Sequence, residues 1–225
     1  MRVLIVDTAV GLCSVGVFEV AYGVARPLGL RSEAMIKGHQ ERLAVLAREA
    51  VAEAGGFDAV GRIGVTVGPG SFTGLRVGLA FAQGLGAALD RPVVGLSTLD
   101  ALAASAGKAR AVAALIDARR GQVYARFWID GCPDGPAEPL SLEAAGARVA
   151  TLGAGVVLIG SGAVLVAGAA PDALVLDQAG PTPEALARLA GAADPAESPP
   201  RPVYLRAPDA TPPSRLPGQP RPTRE

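Results

Sequence analysis

Two stretches of this chain repeat one plan at a fixed distance. Leu4-Ile5-Val6-Asp7 ends a strand-like apolar run in Asp, and Ala114-Leu115-Ile116-Asp117 does the same. Gly11 stands four residues after Asp7 and Gly121 four after Asp117, so both pairs lie 110 residues apart. Each glycine leads into another strand-like run, Leu12 to Phe18 in one case and Gln122 to Trp128 in the other. A single Asp-bounded hairpin says little, because Asp and Gly favour turns. Two with equal spacing point to a duplicated lobe.

The rest of the pattern is α/β, strand-length apolar runs alternating with helical periodicity. Val3 to Thr8 reads as a strand, Leu12 to Glu19 as its hairpin partner and Tyr22 to Leu28 as a third strand. His39 to Ala54 is an amphipathic helix with Leu43, Leu46, Ala47, Ala50, Val51 and Ala54 on its apolar face, ended by Gly55-Gly56. Arg62 to Val67 reads as a strand, Thr73 to Asp90 as a helix and Pro92 to Gly95 as a short strand. Ser97 or Thr98 can cap the helix that follows, and Gly107 to Arg110 reads as a boundary. The expected units are a first lobe over 1–107, a smaller second lobe over 108–194 and a Pro-rich tail over 195–225. In that tail only Val203-Tyr204-Leu205 looks able to pack, back onto the first lobe. Composition predicts disorder after about Pro208.

Several function classes fall away on composition. Half of the 225 residues are hydrophobic, enough for one sizeable core or two packed lobes. Lys and Arg number 21, as do Asp and Glu, so the basic surplus of a free-standing nucleic-acid binder is missing. If the chain serves an RNA process, a partner is expected to hold the RNA. Cys13 and Cys132 form no CxxC pair, which argues against a disulfide framework or a cysteine-held metal. With one histidine, His39, no HExxH pair exists, and a Ser-His-Asp triad would have to use that residue. No serine sits in a G-x-S-x-G elbow, since Pro69 precedes Ser71 by two and Ile159 precedes Ser161 by two. His39 reads as packing at a helix start or as a polar interface contact. No cofactor, metal or catalytic residue is expected. The chain opens on a strand-like segment with no signal-peptide pattern, so a cytoplasmic protein is expected. Val149 to Ala170 carries no charge, but its glycines break it into a buried strand (Val156 to Ile159), a turn at Gly160-Ser161-Gly162 and a short helix rather than a membrane span.

Gly68-Pro69-Gly70-Ser71-Phe72-Thr73-Gly74 joins a strand to a helix. A glycine-rich turn at a helix start can hold phosphate, yet this one lacks the lysine of a P-loop, and its third glycine comes one residue late for GxGxxG. It reads as a structural turn. The helix after it places Gly74, Gly78, Ala82 and Gly86 on one stripe, with Arg76 at its start and Leu75, Leu79, Leu85 and Leu89 alongside. Glycine in a helix is worse than alanine by roughly 1 kcal/mol, so another backbone is expected to press on this stripe, from the same chain or from a partner. On the partner reading, Gly78→Trp should block association.

Gly68 to Arg76 closely resembles the GPGSFTGLR signature of the TsaB (YeaZ) family. Ile5-Val6-Asp7-Thr8 with Cys13-Ser14-Val15 is similar to that family's start, Ile116-Asp117-Ala118-Arg119 with Gln122-Val123-Tyr124 to its IDAR…VY segment, and Pro202 to Arg206 to its PxYLR. The resemblance runs from residue 1 to about 209. It implies a two-lobed actin/Hsp70/sugar-kinase-like α/β fold with duplicated mixed-sheet lobes. It also implies a non-catalytic scaffold that binds TsaD, whose metal site transfers the threonylcarbamoyl group to adenosine 37 of tRNAs reading codons that begin with A. TsaE joins that complex, the same surface self-associates without TsaD, and tRNA is met only through the complex. The implied interface is a helical bundle of the first two helices, mapped here onto His39, Leu43, Leu46, Ala47, Ala50, Gly74, Arg76, Gly78, Ala82, Leu85 and Gly86. Asp7 and Thr8 occupy the position that handles nucleotide-linked metal in active members of the superfamily, a vestigial site here. The alternative is a Mg-ATP-dependent phosphotransferase of the same fold, using Asp7 or Asp117.

Overall fold

The computed structural model describes residues 1–35 and 37–206. The expectation for the segment after about Pro208 lies outside them.

In the first sheet β1 (Arg2–Asp7) pairs antiparallel with β2 (Leu12–Ala21), and β2 with β3 (Val24–Ala34). β4 (Arg62–Gly68) lies parallel beside β1, and β5 (Val93–Ser97) parallel beside β4. Side chains alternate across the pleat. Leu4, Val6, Val15, Ile63 and Val65 therefore meet α1 (His39–Glu53) and α2 (Phe72–Leu89) on one face, while Val3, Ile5, Phe18, Val94 and Leu96 fill the other. β3 outruns the Tyr22 to Leu28 expectation because its second half is polar. Arg31 there pairs with Glu49 and Glu53 of α1, and Glu33 with Arg42.

The second sheet repeats the plan. β6 (Ala111–Arg119) and β7 (Gln122–Ile129) form the hairpin, and the short β8 (Cys132–Pro133) and β9 (Glu138–Ser141) extend it on β7. β10 (Val157–Ile159) runs parallel beside β6, and β11 (Leu174–Leu176) parallel beside β10. α4 (Leu142–Ala150) and α5 (Ala163–Val166) occupy the places of α1 and α2. Both hairpin aspartates make the same local turn: Asp7 Oδ1 accepts from the Ala9 amide at 3.0 Å and Asp117 Oδ1 from the Arg119 amide at 2.8 Å. This is a two-lobed α/β fold of duplicated mixed sheets. Val149 to Ala170 is broken as expected, into the end of α4, β10 and α5. By length and composition alone α2 would pass for a membrane span, but Gly74, Leu75, Gly78, Leu79, Ala82 and Gly86 are buried in the lobe.

The last helix of each half crosses over. α3 (Thr98–Ser105), capped by Ser97, sends Leu99 and Leu102 into the second sheet's core beside Val112, Ile116 and Trp128. α6 (Pro183–Ala192) lies on the first sheet, where Leu186, Ala187 and Ala190 cover Val3, Ile5 and Phe18. A second lobe of 108–194 therefore ends too late. Burial of that first-sheet face, which α1 and α2 cannot reach, draws residues 183–192 away from the sheet that precedes them. Arg62 of β4 fastens α6 at its C-terminal end, where carbonyls lack partners within the helix. Its Nη1 donates to the carbonyls of Ala190 (2.8 Å), Gly191 (3.1 Å) and Ala193 (2.7 Å).

Beyond α6 the chain forms a strap. The Gly95 amide donates to Ser198 O and the Val203 amide to Val67 O, both at 2.8 Å, and Gln83 Nε2 holds Pro200 O. Arg206 then reaches the second lobe, donating to Ala118 O at 3.0 Å and to the Gln122 side chain.

Arg62→Ala is expected to destabilise the chain by about 1.5–3 kcal/mol, the range for hydrogen bonds to a charged donor. Amide exchange over 183–193 should accelerate more than exchange in β6 and β7, and mass spectrometry of deuterium uptake measures both.

Candidate interaction face and interlobe cleft

The turn after β1 and the turn after β4 are bolted together. Ser71 donates its amide to Ala9 O at 2.6 Å, and Thr8 Oγ1 donates to Gly74 O at 2.7 Å. Ser71 Oγ caps α2 by accepting from the Gly74 amide. Asp7 lies fully buried beneath this corner, its Oδ1 accepting from Thr66 Oγ1 at 2.8 Å, while its Oδ2 has no partner among the described residues. Burial raises the Asp7 pKa above the ordinary carboxylate value, against the lowering pull of its bonds from Ala9 and Thr66.

The small-residue stripe of α2 is turned inward onto this corner. A Cβ on Gly74 would strike Thr8 O, one on Gly78 Thr8 Oγ1, and one on Gly86 the Val93 side chain; Ala82 is fully buried. The backbone that presses on the stripe is the lobe's own. His39, Leu43, Leu46, Ala47 and Ala50 of α1 are buried as well, Leu43, Leu46 and Ala47 in the core beneath the helices and Ala50 against Gly29 of β3. An outward contact surface made of these residues is thus corrected. They hold the helices to the sheet, and Leu85 is partly buried with them. Among the residues mapped to the interface, Arg76 points out, its guanidinium 3.8 Å from the centre of the Phe72 ring.

Other residues face solvent. Ala80, Gly84, Ala87 and Ala88 are exposed on α2, and Ala44, Arg48, Glu49 and Ala52 on α1. Gly84 has open space where a side chain would be. At one end of this face Phe72 (46% exposed) stacks on Tyr204 of the strap (41% exposed), ring centres 5.3 Å apart, and Arg76 Nε donates to the Tyr204 hydroxyl. The signal for the outer ridge was in the sequence. Ala80, Gly84 and Ala88 sit at the same helical spacing as the inner stripe, on the opposite side.

Between the lobes lies a cleft of about 550 Å³, lined by Ala9, Gly70 and Ser71 on one side and by Asp117, Tyr124 and Ser161 on the other. Asp7 and Thr8 stay inside the first lobe, so the position mapped to nucleotide handling is occupied by residues that brace a turn. Gly160-Ser161-Gly162 packs as a turn on β6, Ser161 Oγ accepting from the Asp117 amide at 3.2 Å. Arg206 closes one rim over Ala118 and Tyr124.

Against known proteins, a family model described as TsaD: tRNA N6-adenosine threonylcarbamoyltransferase matches residues 23–128. The tRNA threonylcarbamoyladenosine biosynthesis protein TsaB of Escherichia coli strain K12 is 34% identical over 128 residues, 55% of this chain and 53% of that protein. The chain thus matches about half the length of that curated relative. YeaZ from Pseudomonas aeruginosa is 32% identical with a TM-score of 0.74, over 91% of this chain and 99% of that structure. A ROK hexokinase from Thermus thermophilus, 18% identical over 84% of this chain and 97% of its own, shares the fold at a TM-score of 0.51.

Two outcomes follow from the buried corner. Gly78→Trp should fail to fold, rather than fold and fail to associate, because the side chain has no room beside Thr8; circular dichroism of the purified variant reads this directly. Asp7→Asn tests the carboxyl. A folded-state pKa above the unfolded one means that the stability supported by the neutral form is full at acid pH and is lost as pH rises through the folded pKa. The stability of Asp7→Asn relative to the parent should therefore climb from acidic to neutral pH in urea titrations.

Proposed function

Because the chain belongs to the TsaB (YeaZ) family, we propose that it is a non-catalytic scaffold of tRNA threonylcarbamoyladenosine biosynthesis, docking TsaD through the outer ridge of α1 and α2. The observation that carries the reading is Gly84. A glycine at mid-helix weakens that helix by roughly 1 kcal/mol against alanine, and no neighbour among the described residues calls for its missing side chain. Closely packed helices separate by distances that their contact side chains set. A ridge of Ala80, Gly84 and Ala88 accommodates a partner helix at short range.

The matched TsaD segment, residues 23–128, includes both helices. A TsaD-type partner would bring the equivalent pair, and two related pairs can meet about a pseudo-twofold axis. The same geometry serves a second copy, so self-association and TsaD binding exclude each other. Phe72, Arg76 and Tyr204 extend the footprint with the aromatic and guanidinium groups that dominate interface energetics. TsaE then joins the TsaD-bound complex, and tRNA is engaged through that complex in the cytoplasm, since the chain carries no basic surplus of its own.

One observation favours a phosphotransferase instead: the interlobe cleft carries the carboxylates of Asp117 and Asp177. Calorimetry of the isolated chain with Mg-ATP separates the two. Tight binding with turnover by the chain alone would replace the scaffold reading.

The deciding assay is reconstitution of tRNA modification by TsaD with and without this chain. Modification is expected with both and absent with this chain alone. Gly84→Trp should fold, lose co-elution with TsaD and lose self-association, whereas Gly84→Ala should gain up to about 1 kcal/mol in stability. Co-elution of Gly84→Trp at the parental level would reject the docking face.

A further inference from the structure

The strap that follows α6 is built into the first lobe and ends on the second. Two strand glycines make room for its backbone. A Cβ on Gly95 would lie 2.6 Å from Pro199 O, and one on Gly68 2.6 Å from Val203 O, so neither position accepts a side chain while the strap is in place. These close approaches add to the bonds made by the Gly95 and Val203 amides and by Gln83 Nε2.

The last three described residues of the strap pass from one lobe to the other at the interlobe cleft. Tyr204 stands on the first lobe, stacked on Phe72 and bonded by Arg76 Nε at 3.4 Å. Phe72 directly follows Ser71, which lines the cleft. Arg206 stands on the second lobe. Its Nη1 donates to Ala118 O at 3.0 Å, its Nη2 donates to the Gln122 side chain, and its guanidinium carbon lies 6.0 Å from the centre of the Tyr124 ring. Ala118 and Tyr124 line the cleft from the side opposite Ser71. Leu205 alone separates the two anchors. A two-residue step reaches at most about 7 Å when fully extended, so it has little slack and a shift of one anchor is passed to the other.

We infer that Tyr204 to Arg206 is a clasp that fixes the two lobes relative to each other and is pressed shut by a partner docked on the outer ridge. Phe72 and Tyr204 are 46% and 41% exposed at one end of that ridge, so a partner that covers them restrains Tyr204. Restraint at Tyr204 holds Arg206 against Ala118. The link is reciprocal: a change that frees Arg206 must weaken docking, although the partners of Arg206 named above all belong to the second lobe. The docking half of this inference rests on the scaffold reading; the half that concerns the lobes does not.

Cys132 is exposed on the second lobe and Cys13 is buried, so a single Asp58→Cys change on the exposed surface of the first lobe gives a pair of spin-label sites across the lobes. Pulsed electron resonance on this full chain should give one narrow distance distribution. Tyr204→Ala and Arg206→Ala should each broaden it to the same extent, and the double variant should add nothing, because either loss opens the same clasp. Arg206→Lys, without the second arm of the guanidinium, should fall between. Arg206→Ala should also weaken self-association and co-elution with TsaD by at least about fivefold, the lower end of coupling between linked sites. A parental distribution in either alanine variant would overturn the clasp. Broadened distributions with association at parental strength would overturn the coupling alone if Gly84→Trp abolishes association. If Gly84→Trp leaves association intact, the docking face falls and the coupling with it, while the clasp stands.

Discussion

At three positions along α2 no side chain fits between the helix and the first lobe beneath it. Gly74, Gly78 and Gly86 let the helix lie against Thr8 and Val93, and Thr8 closes the contact by donating to Gly74 O. This approach fixes the rotation of α2 about its own axis. It decides that one stripe is spent inside the lobe and that the ridge of Ala80, Gly84 and Ala88 looks outward. It also draws the start of α2 next to the start of α1, and it leaves the flank of α2 on which the strap lies. A bulkier inner stripe would lift the helix and disturb the face and the strap together.

The two helices of the docking ridge differ in character. α2 is nearly bare of charge on its outer side, whereas α1 carries Glu41, Arg48, Glu49 and Glu53 there. Exposed ion pairs such as Arg31 with Glu49 and Glu53 add little to folding stability. On the scaffold reading their value is positional. An apolar strip along α2 bordered by charges on α1 matches the anatomy of interfaces, apolar at the centre and polar at the rim. The cleft between the lobes is braced from three sides, by the Asp7 corner, by the Gly160 to Gly162 turn and by Arg206, which points to a frame that holds its shape.

Much of the fold was legible because its signals are local. The repeated Asp and Gly at equal spacing mark the two hairpins, and the apolar face of α1 and the span of α2 lie where periodicity places them. Legibility stopped where the answer depended on which of two surfaces a residue meets. Periodicity says that Gly74, Gly78, Ala82 and Gly86 share a side; it does not say that Thr8 fills the space opposite, since that contact joins residues far apart along the chain. Ala80, Gly84 and Ala88 have the same spacing, but the inner glycines give the stronger pattern. The strand signal at Tyr22 to Leu28 stops short of the end of β3 for a related reason, the polar half of β3 being satisfied by α1 rather than by a core. The destination of α6 was hidden likewise, since nothing in Pro183 to Ala192 names the sheet it covers.

That destination bears on how the molecule comes into being. Val3, Ile5 and Phe18 leave the ribosome well before their cover of Leu186, Ala187 and Ala190 is made. Until then half of the opening sheet is an apolar surface open to whatever is nearby, the kind of species that aggregates or engages chaperones. The chain cannot finish its first lobe before it has built its second, and an interrupted translation product would carry that bare surface with nothing of its own to close it.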